Sequence, residues 1–314
     1  MEKKAFIFPG QGSQQVGMGR DMYEKYGAAR DVFHRAGRAL GTDIAALCFS
    51  GPEEELKKTV NAQPAILTVS VACLAVLREK GIKPGVAAGH SLGEYSALVA
   101  AGSLEFEDAV RLVRLRGQFM QEAVPLGEGG MVAVLGMESD IVSEVCASVS
   151  GDGGVVQAVN LNCPGQVVIA GDTRSLDRAV ELLKQKGARK CLPLSVSAPF
   201  HSSLMKPAGE KLAESLAGVK VRDPEIPVLS NVTADYHRTG DSIKELLVKQ
   251  VYSPVRWEEC VQMIIRDGFS PLVEVGPGKV LSGLVRKINK DVDILNVEDG
   301  VSLEKVLASF GEVG

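Results

Sequence analysis

The sequence predicts an α/β fold in two parts: a large α/β-hydrolase-like domain, discontinuous in the chain, and a small ferredoxin-like α+β subdomain inserted into it. Three observations carry this expectation. Short apolar strand segments alternate with helical periods over most of the chain. Gly89-His90-Ser91-Leu92-Gly93 lies between a small apolar strand and a helix. Residues 127–195 follow the order β-α-β-β-α-β. The expected boundaries are therefore 1–126 and 196–314 for the large domain and 127–195 for the small one.

Phe6 to Phe8 reads as a buried strand ending at Pro9-Gly10, before the glycine-rich run Gly10-Gln11-Gly12-Ser13-Gln14-Gln15-Val16-Gly17. From Pro64 to Lys80, Ile66, Leu67, Val71, Leu74 and Leu77 recur at helical spacing and Gly81 supplies a stop. Val86 to Ala88 is a strand, Gly89 to Gly93 a tight turn, and Glu94 to Ala101 a helix stopped by Gly102. Ser103 reads as the N-cap of a helix whose apolar stripe is Phe106, Ala109, Val110 and Val113. In the insert, Met131–Leu135, Val155–Val159, Val167–Ala170 and Cys191–Leu194 read as strands, with a turn at Asn162-Cys163-Pro164-Gly165. Helices are expected around Ile141–Val149 and Leu176–Leu183. The chain then returns to the large domain, with strands near Val228–Ser230 and Leu272–Val275 and helices near Leu204–Leu216, Ile243–Val251 and Val280–Ile288.

With 314 residues, 45% of them hydrophobic and 24% charged, the chain can build a full core. The 35 Lys+Arg against 39 Asp+Glu leave a formal charge of −4, so no global basic field attracts nucleic acid or an anionic membrane. The closest of the six cysteines, Cys146 and Cys163, are 17 positions apart, which favours buried free thiols over disulfides or metal pairs. The N-terminus is too short in apolar residues for a signal segment, and no unbroken apolar run approaches membrane-spanning length. A cytoplasmic protein is expected, with monomer as the default state.

Gly89-His90-Ser91-Leu92-Gly93 is a G-x-S-x-G sequence in the strand-to-helix context that lifts a serine clear of a sheet. The amide of Leu92, at the start of the helix, is placed to hold an oxyanion. Ser91 needs a base. His34 lies in an arginine-rich amphipathic segment, and His90 adjoins Ser91 and should point under the turn. His201 precedes a helical pattern, where the dipole disfavours imidazolium, and His237 falls in the polar run Thr233–Arg238, which reads as an exposed loop. His201 is the favoured base, with His237 second. Arg111, Arg114 and Arg116 share one helix; at about 100° per residue, Arg116 lies nearest the apolar stripe, roughly 70° from its centre. Spacing alone favours a structural salt bridge or a snorkelling surface arginine over a substrate contact. Gly10-x-Gly12 and Gly278-Lys279 each lack the residues of a nucleotide-binding loop.

Taken together, Phe8–Gln14, Gly89–Tyr95, Asn162–Gln166, Phe200-His201-Ser202, Gln250–Trp257 and Glu274–Lys279 resemble the malonyl-CoA:acyl carrier protein transacylase family from end to end. The resemblance implies that Ser91 takes a malonyl group from malonyl-CoA and passes it to the phosphopantetheine thiol of acyl carrier protein, with no cofactor or metal. It implies catalytic roles for Ser91 and His201, with Gln250 orienting His201. It also implies that the backbone amides of Gln11 and Leu92 form the oxyanion site. Arg116 matches the family position that pairs with the malonyl carboxylate, which reverses the weighting from spacing. Phe200 and Leu92 match the malonyl-preferring pattern, and Asn162 is expected to face the cleft. Lys184, Lys186, Arg189 and Lys190 form a basic run that reads first as a solvated face and second as a carrier-docking patch. Two other readings stand beside this one: a serine hydrolase using Ser91 with Asp223 and His237, and a carrier-binding protein with an inert elbow.

Overall fold

The computed structural model describes residues 3–150, 154–196 and 198–311. The chain opens with β1 (Ala5–Phe8), α1 (Arg20–Lys25), α2 (Gly27–Leu40), α3 (Ile44–Ser50), α4 (Glu53–Lys57), α5 (Thr59–Glu79), β2 (Val86–Gly89), α6 (Gly93–Ala100) and α7 (Phe106–Glu122). Next come β3 (Gly129–Leu135), α8 (Ser139–Ser150), β4 (Val156–Cys163), β5 (Gln166–Asp172), α9 (Thr173–Gln185) and β6 (Lys190–Pro193). After a 3-10 turn at Ser203–Met205, the chain continues through α10 (Lys206–Ala217), α11 (Gly240–Gln250), α12 (Trp257–Arg266), β7 (Leu272–Val275), α13 (Val280–Ile288), β8 (Ile294–Val297) and α14 (Gly300–Phe310).

Two four-stranded sheets result among the described residues. The first, ordered β2-β1-β7-β8, is parallel throughout. Every residue of β1, β2 and β7 is buried, as expected of parallel strands covered on both faces, and only Glu274, bonded to the amides of Leu281 and Ser282, interrupts their apolar sequences. The second, ordered β4-β5-β3-β6, is antiparallel. Helices α8 and α9 cover it with Val142, Val145, Val149, Leu176, Ala179 and Leu183, which pack on Val132, Val134, Val167 and Ile169.

Local differences from the sequence reading have identifiable causes. The strand expected at Val228–Ser230 shrinks to single bridges, Val228 to Ala87 and Leu229 to Tyr236, because Pro227 and the turn after Ser230 leave only two residues to pair. Ser103 does not cap α7. The chain turns at Gly102 (φ 71°), stays extended at Glu105, and the helix opens at Phe106 without a side-chain cap. The helix read from Pro64 begins at Thr59 and carries Pro64 within it. That helix, α5, also differs from the expectation that nothing approaches a membrane span: by length and composition it would suffice. Thr59, Asn61, Gln63, Thr68 and Ser70 break the apolar runs of α5, yet its most apolar window still has a mean hydropathy of 1.8. Eighty-three per cent of its most apolar window is buried inside the protein, packed on α2 and α7.

Candidate active site

Strands β1 and β2 are parallel neighbours, so the loop after Phe8 and the turn after Gly89 leave the sheet side by side. Backbone crowding there admits only glycine. A Cβ on Gly89 would lie 1.9 Å from the Gly93 carbonyl carbon, one on Gly93 2.0 Å from the Phe8 oxygen, and one on Gly10 2.4 Å from the His90 oxygen. Ser91 itself is held at φ 51°, a left-handed conformation that a non-glycine residue adopts only under constraint. The constraint is visible: Asn231 Oδ1 accepts from the Ser91 amide at 2.7 Å, while Asn231 Nδ2 donates to the Gly89 carbonyl at 2.8 Å.

His201 Nε2 lies 2.7 Å from Ser91 Oγ, and its Nδ1 donates to the backbone carbonyl of Gln250 at 2.7 Å. With Nδ1 carrying the proton, Nε2 is left as the acceptor for the serine hydroxyl. Burial first, and the positive charge of Arg116 second, lower the His201 pKa to about 3. The expected neutral imidazole is present, but desolvation rather than a helix dipole is the principal cause. His201 also takes a left-handed backbone, at φ 64°.

Arg116 is 1% exposed and points inward from α7. Its Nη2 donates to Ser91 Oγ at 3.0 Å and to Gln250 Oε1 at 2.9 Å, and its Nη1 to Gln63 Oε1 at 2.9 Å. Nε finds no partner, and no ion pair joins Arg116 to a carboxylate among the described residues. A buried guanidinium held only by neutral acceptors is an anion site with its counter-charge left to the ligand. Arg111 and Arg114 turn outward instead, bonding the carbonyls of Ala39 and Leu40 at the end of α2.

A cavity of about 260 Å³ opens over these groups, with Gln11, Ser91, Leu92, Arg116, Phe200 and His201 on its walls. The backbone amides of Gln11 and Leu92 donate to no protein acceptor among the described residues. Asn162, expected to face the cleft, is buried and does not line this cavity, where Asn160 of the same strand does; its Oδ1 meets His90 Nε2 at 2.8 Å. His90 thus points under the turn, as expected. Gln250 meets His201 through its main chain, not its side chain. The side-chain Nε2 donates to the Ser91 carbonyl at 3.0 Å and to Glu94 Oε2 at 2.8 Å.

His237 departs most from expectation. It is buried rather than exposed, and its Nε2 bonds Glu94 Oε1 at 2.8 Å. Asp223 accepts instead from the Gly240 amide, so a Ser91-His237-Asp223 triad is not assembled. Gln63, Glu94 and Asn231 join the site unforeseen. Glu94 lies within the elbow itself, but its partners His237 and Gln250, like Gln63 for Arg116 and Asn231 for Ser91, are 53 to 156 positions away, so no spacing signal marks these contacts.

This arrangement, a constrained serine on a neutral base with free amides beside it and a buried cation facing it, suits acyl transfer from a substrate bearing an anionic group. The model of the acyl transferase domain family matches residues 5–306. The malonyl CoA-acyl carrier protein transacylase of Bacillus subtilis is 51% identical over 99% of this chain and 98% of its own, and that of Escherichia coli K12 is 50% identical over 92% and 93%. The crystal structure of an acyl carrier protein S-malonyltransferase from Vibrio cholerae superposes with a TM-score of 0.95 at 48% identity, covering 97% of this chain and 100% of its own. A malonyl-transacylase solved in complex with a type II PKS acyl-carrier protein superposes equally well, with a TM-score of 0.95 at 45% identity over 98% and 100%. On its fold, its site and these relatives, the chain belongs to the acyl transferase domain family and, within it, to the malonyl-CoA:acyl carrier protein transacylases.

Proposed function

We propose that this protein transfers a malonyl group from coenzyme A to the phosphopantetheine thiol of an acyl carrier protein, in ping-pong order through a Ser91 ester, supplying fatty acid or polyketide synthesis. The observation that carries the reading is the position of Ser91 Oγ, 2.7 Å from a neutral His201 and 3.0 Å from Arg116, whose guanidinium makes no ion pair with a carboxylate among the described residues. Ser91 Oγ attacks the thioester carbonyl as its proton passes to His201 Nε2. The resulting oxyanion is held by the amides of Gln11 and Leu92. The C–S bond breaks and His201 returns the proton to the CoA sulfur. In the second half, the carrier thiol gives its proton to His201, its sulfur attacks the ester, and Ser91 Oγ leaves and is reprotonated.

In this reading Arg116 pairs with the malonyl carboxylate and the Gln250 carbonyl fixes the His201 tautomer. Phe200 and Leu92 crowd a 2-methyl branch. Asn162 acts through His90, bracing the elbow from below. The protein works as a cytoplasmic monomer on malonyl-CoA and acyl carrier protein, without nucleic acid or membrane. The parallel sheet with its elbow belongs to an α/β-hydrolase-like domain spanning 1–126 and 196–314. Residues 127–195 form a ferredoxin-like subdomain, supported by the β-α-β-β-α-β order and the antiparallel arrangement β4-β5-β3-β6.

Intact mass after brief incubation with malonyl-CoA, followed by phosphopantetheinylated carrier protein, tests the proposal, with Ser91→Ala as control. A malonyl-sized adduct absent from the variant and discharged onto carrier is expected. An adduct that decays to free malonate regardless of carrier makes the protein a hydrolase, and no adduct overturns the covalent mechanism.

A further inference from the structure

Beneath Ser91 lies a polar network that the acyl-transfer steps do not use. Glu94, on the first turn of α6, is fully buried, and its carboxylate accepts three N–H bonds. Oε1 takes one from His237 Nε2 at 2.8 Å; Oε2 takes one from the Asn231 amide at 2.9 Å and one from Gln250 Nε2 at 2.8 Å. The amide of Gln250 is thereby oriented. With both Nε2 hydrogens committed, to Glu94 and to the Ser91 carbonyl, Oε1 faces Arg116 Nη2 at 2.9 Å. Rotated by half a turn, the same amide would set its NH₂ against a guanidinium and its oxygen against a carboxylate, and both contacts would repel. Only an acceptor at Glu94 makes the observed orientation the stable one.

We propose that Glu94 is a positioning residue for malonyl recognition, acting through the Gln250 side chain to hold Arg116 where a substrate carboxylate can meet it. Glu94 touches neither Ser91 Oγ nor His201 Nε2, so it serves acyl selectivity and not the proton transfers. Its negative charge also sits one amide away from a cation that lacks a direct ion-pair partner, which helps keep that cation charged in a dry site without occupying the face that binds substrate. The proposal rests on Arg116 receiving the malonyl carboxylate.

The test is a double-mutant cycle of Glu94→Gln and Arg116→Ala, read as the rate of Ser91 acylation by malonyl-CoA and, in parallel, as the rate of Ser91 labelling by an uncharged fluorophosphonate. Arg116→Ala alone checks the underlying reading, which fails if malonyl and phosphonate rates fall together. Given that it holds, Glu94→Gln should lower malonyl acylation at least tenfold, chiefly through the KM for malonyl-CoA, with phosphonate labelling within about threefold of the parent. In the Arg116→Ala background, Glu94→Gln should then cost malonyl acylation nothing further. Losses that multiply in the double variant, or a phosphonate rate that falls in step with the malonyl rate, overturn the proposal. Should Glu94→Gln not fold, or its carboxamide oxygen replace Oε2 as the acceptor, Glu94→Met, which offers Gln250 Nε2 no acceptor oxygen, takes its place. The same selective loss is then expected, and equal loss of both rates refutes it.

Discussion

Lowering the pH separates a buried His201 from an ordinary one. At pH 5 an imidazole with an unperturbed pKa near 6.5 is only about 3% neutral, so a site built on it would lose about thirtyfold in rate. With a pKa lowered to about 3, His201 keeps its free base almost complete at the same pH. The assay is single-turnover labelling of Ser91 by an uncharged fluorophosphonate, quenched and read by intact mass from pH 8 to pH 4. A neutral probe avoids titration of the malonyl carboxylate. Circular dichroism at each pH confirms that the fold survives. This check matters because the same shift acts on stability. The folded-state pKa lies below the unfolded one, so the contribution of His201 is complete above about pH 6.5 and is lost as the pH falls towards 3, at roughly 1 kcal/mol per pH unit. A labelling rate that stays level from pH 8 to 5 in folded protein is expected; a fall centred near 6.5 refutes the burial argument. Arg116→Met, which removes the second cause of the shift, should move the acid limb upward.

The substitution Arg116→Ala should cut malonyl acylation by a factor of about 10² to 10³. It removes a charge-assisted fork worth roughly 3–4 kcal/mol, while transfer from acetyl-CoA holds or rises; equal loss for the two thioesters, measured as kcat/KM, would sink the carboxylate role. Gly93→Ala should abolish soluble expression or lower Tm by more than 10 °C, since its methyl would sit 2.0 Å from the Phe8 oxygen; an unchanged melting curve would show that the elbow can open. Lys184, Lys186, Arg189 and Lys190 are all exposed on the end of α9 and the start of β6, whose continuation reaches the cavity wall at Leu194. Reversing the charges of Lys184 and Lys190 should raise the KM for carrier protein several-fold and leave that for malonyl-CoA unaltered, and an unmoved carrier KM removes the docking patch.

Much of the site is legible in the sequence because its constraints are local. Gly89 and Gly93 flank Ser91 within one turn, and both are demanded by backbone contacts made inside that turn and with the adjacent strand. Arg116 is readable only in part: helical spacing turns it towards the stripe, but nothing in α7 says that its partners will be Gln63 and Gln250 and not a carboxylate. His237 is misread because a polar run looks solvated until Glu94, 143 positions earlier, is folded against it. The sequence does not say which part of Gln250 would meet His201; that it is the main-chain carbonyl depends on the path of the chain at Val251 and Tyr252. The same holds for the fold. β1 and β2 announce themselves as apolar runs and β7 as one broken only by Glu274, whereas β8, Ile294-Leu295-Asn296-Val297, is only partly buried and lies at the edge of the sheet. Helices α1, α3 and α4 are only 6, 7 and 5 residues long, too short for a helical period to show in the sequence.

Both Ser91 and His201 sit in left-handed backbone conformations, each of which disfavours a side-chain-bearing residue by about 1 kcal/mol. Glycine carries no such penalty. Ser91→Gly or His201→Gly would therefore relax the chain while destroying the chemistry. A campaign that ranks variants of this protein by melting temperature alone will be drawn towards inert molecules, because the strained positions open to relaxation include the nucleophile and its base.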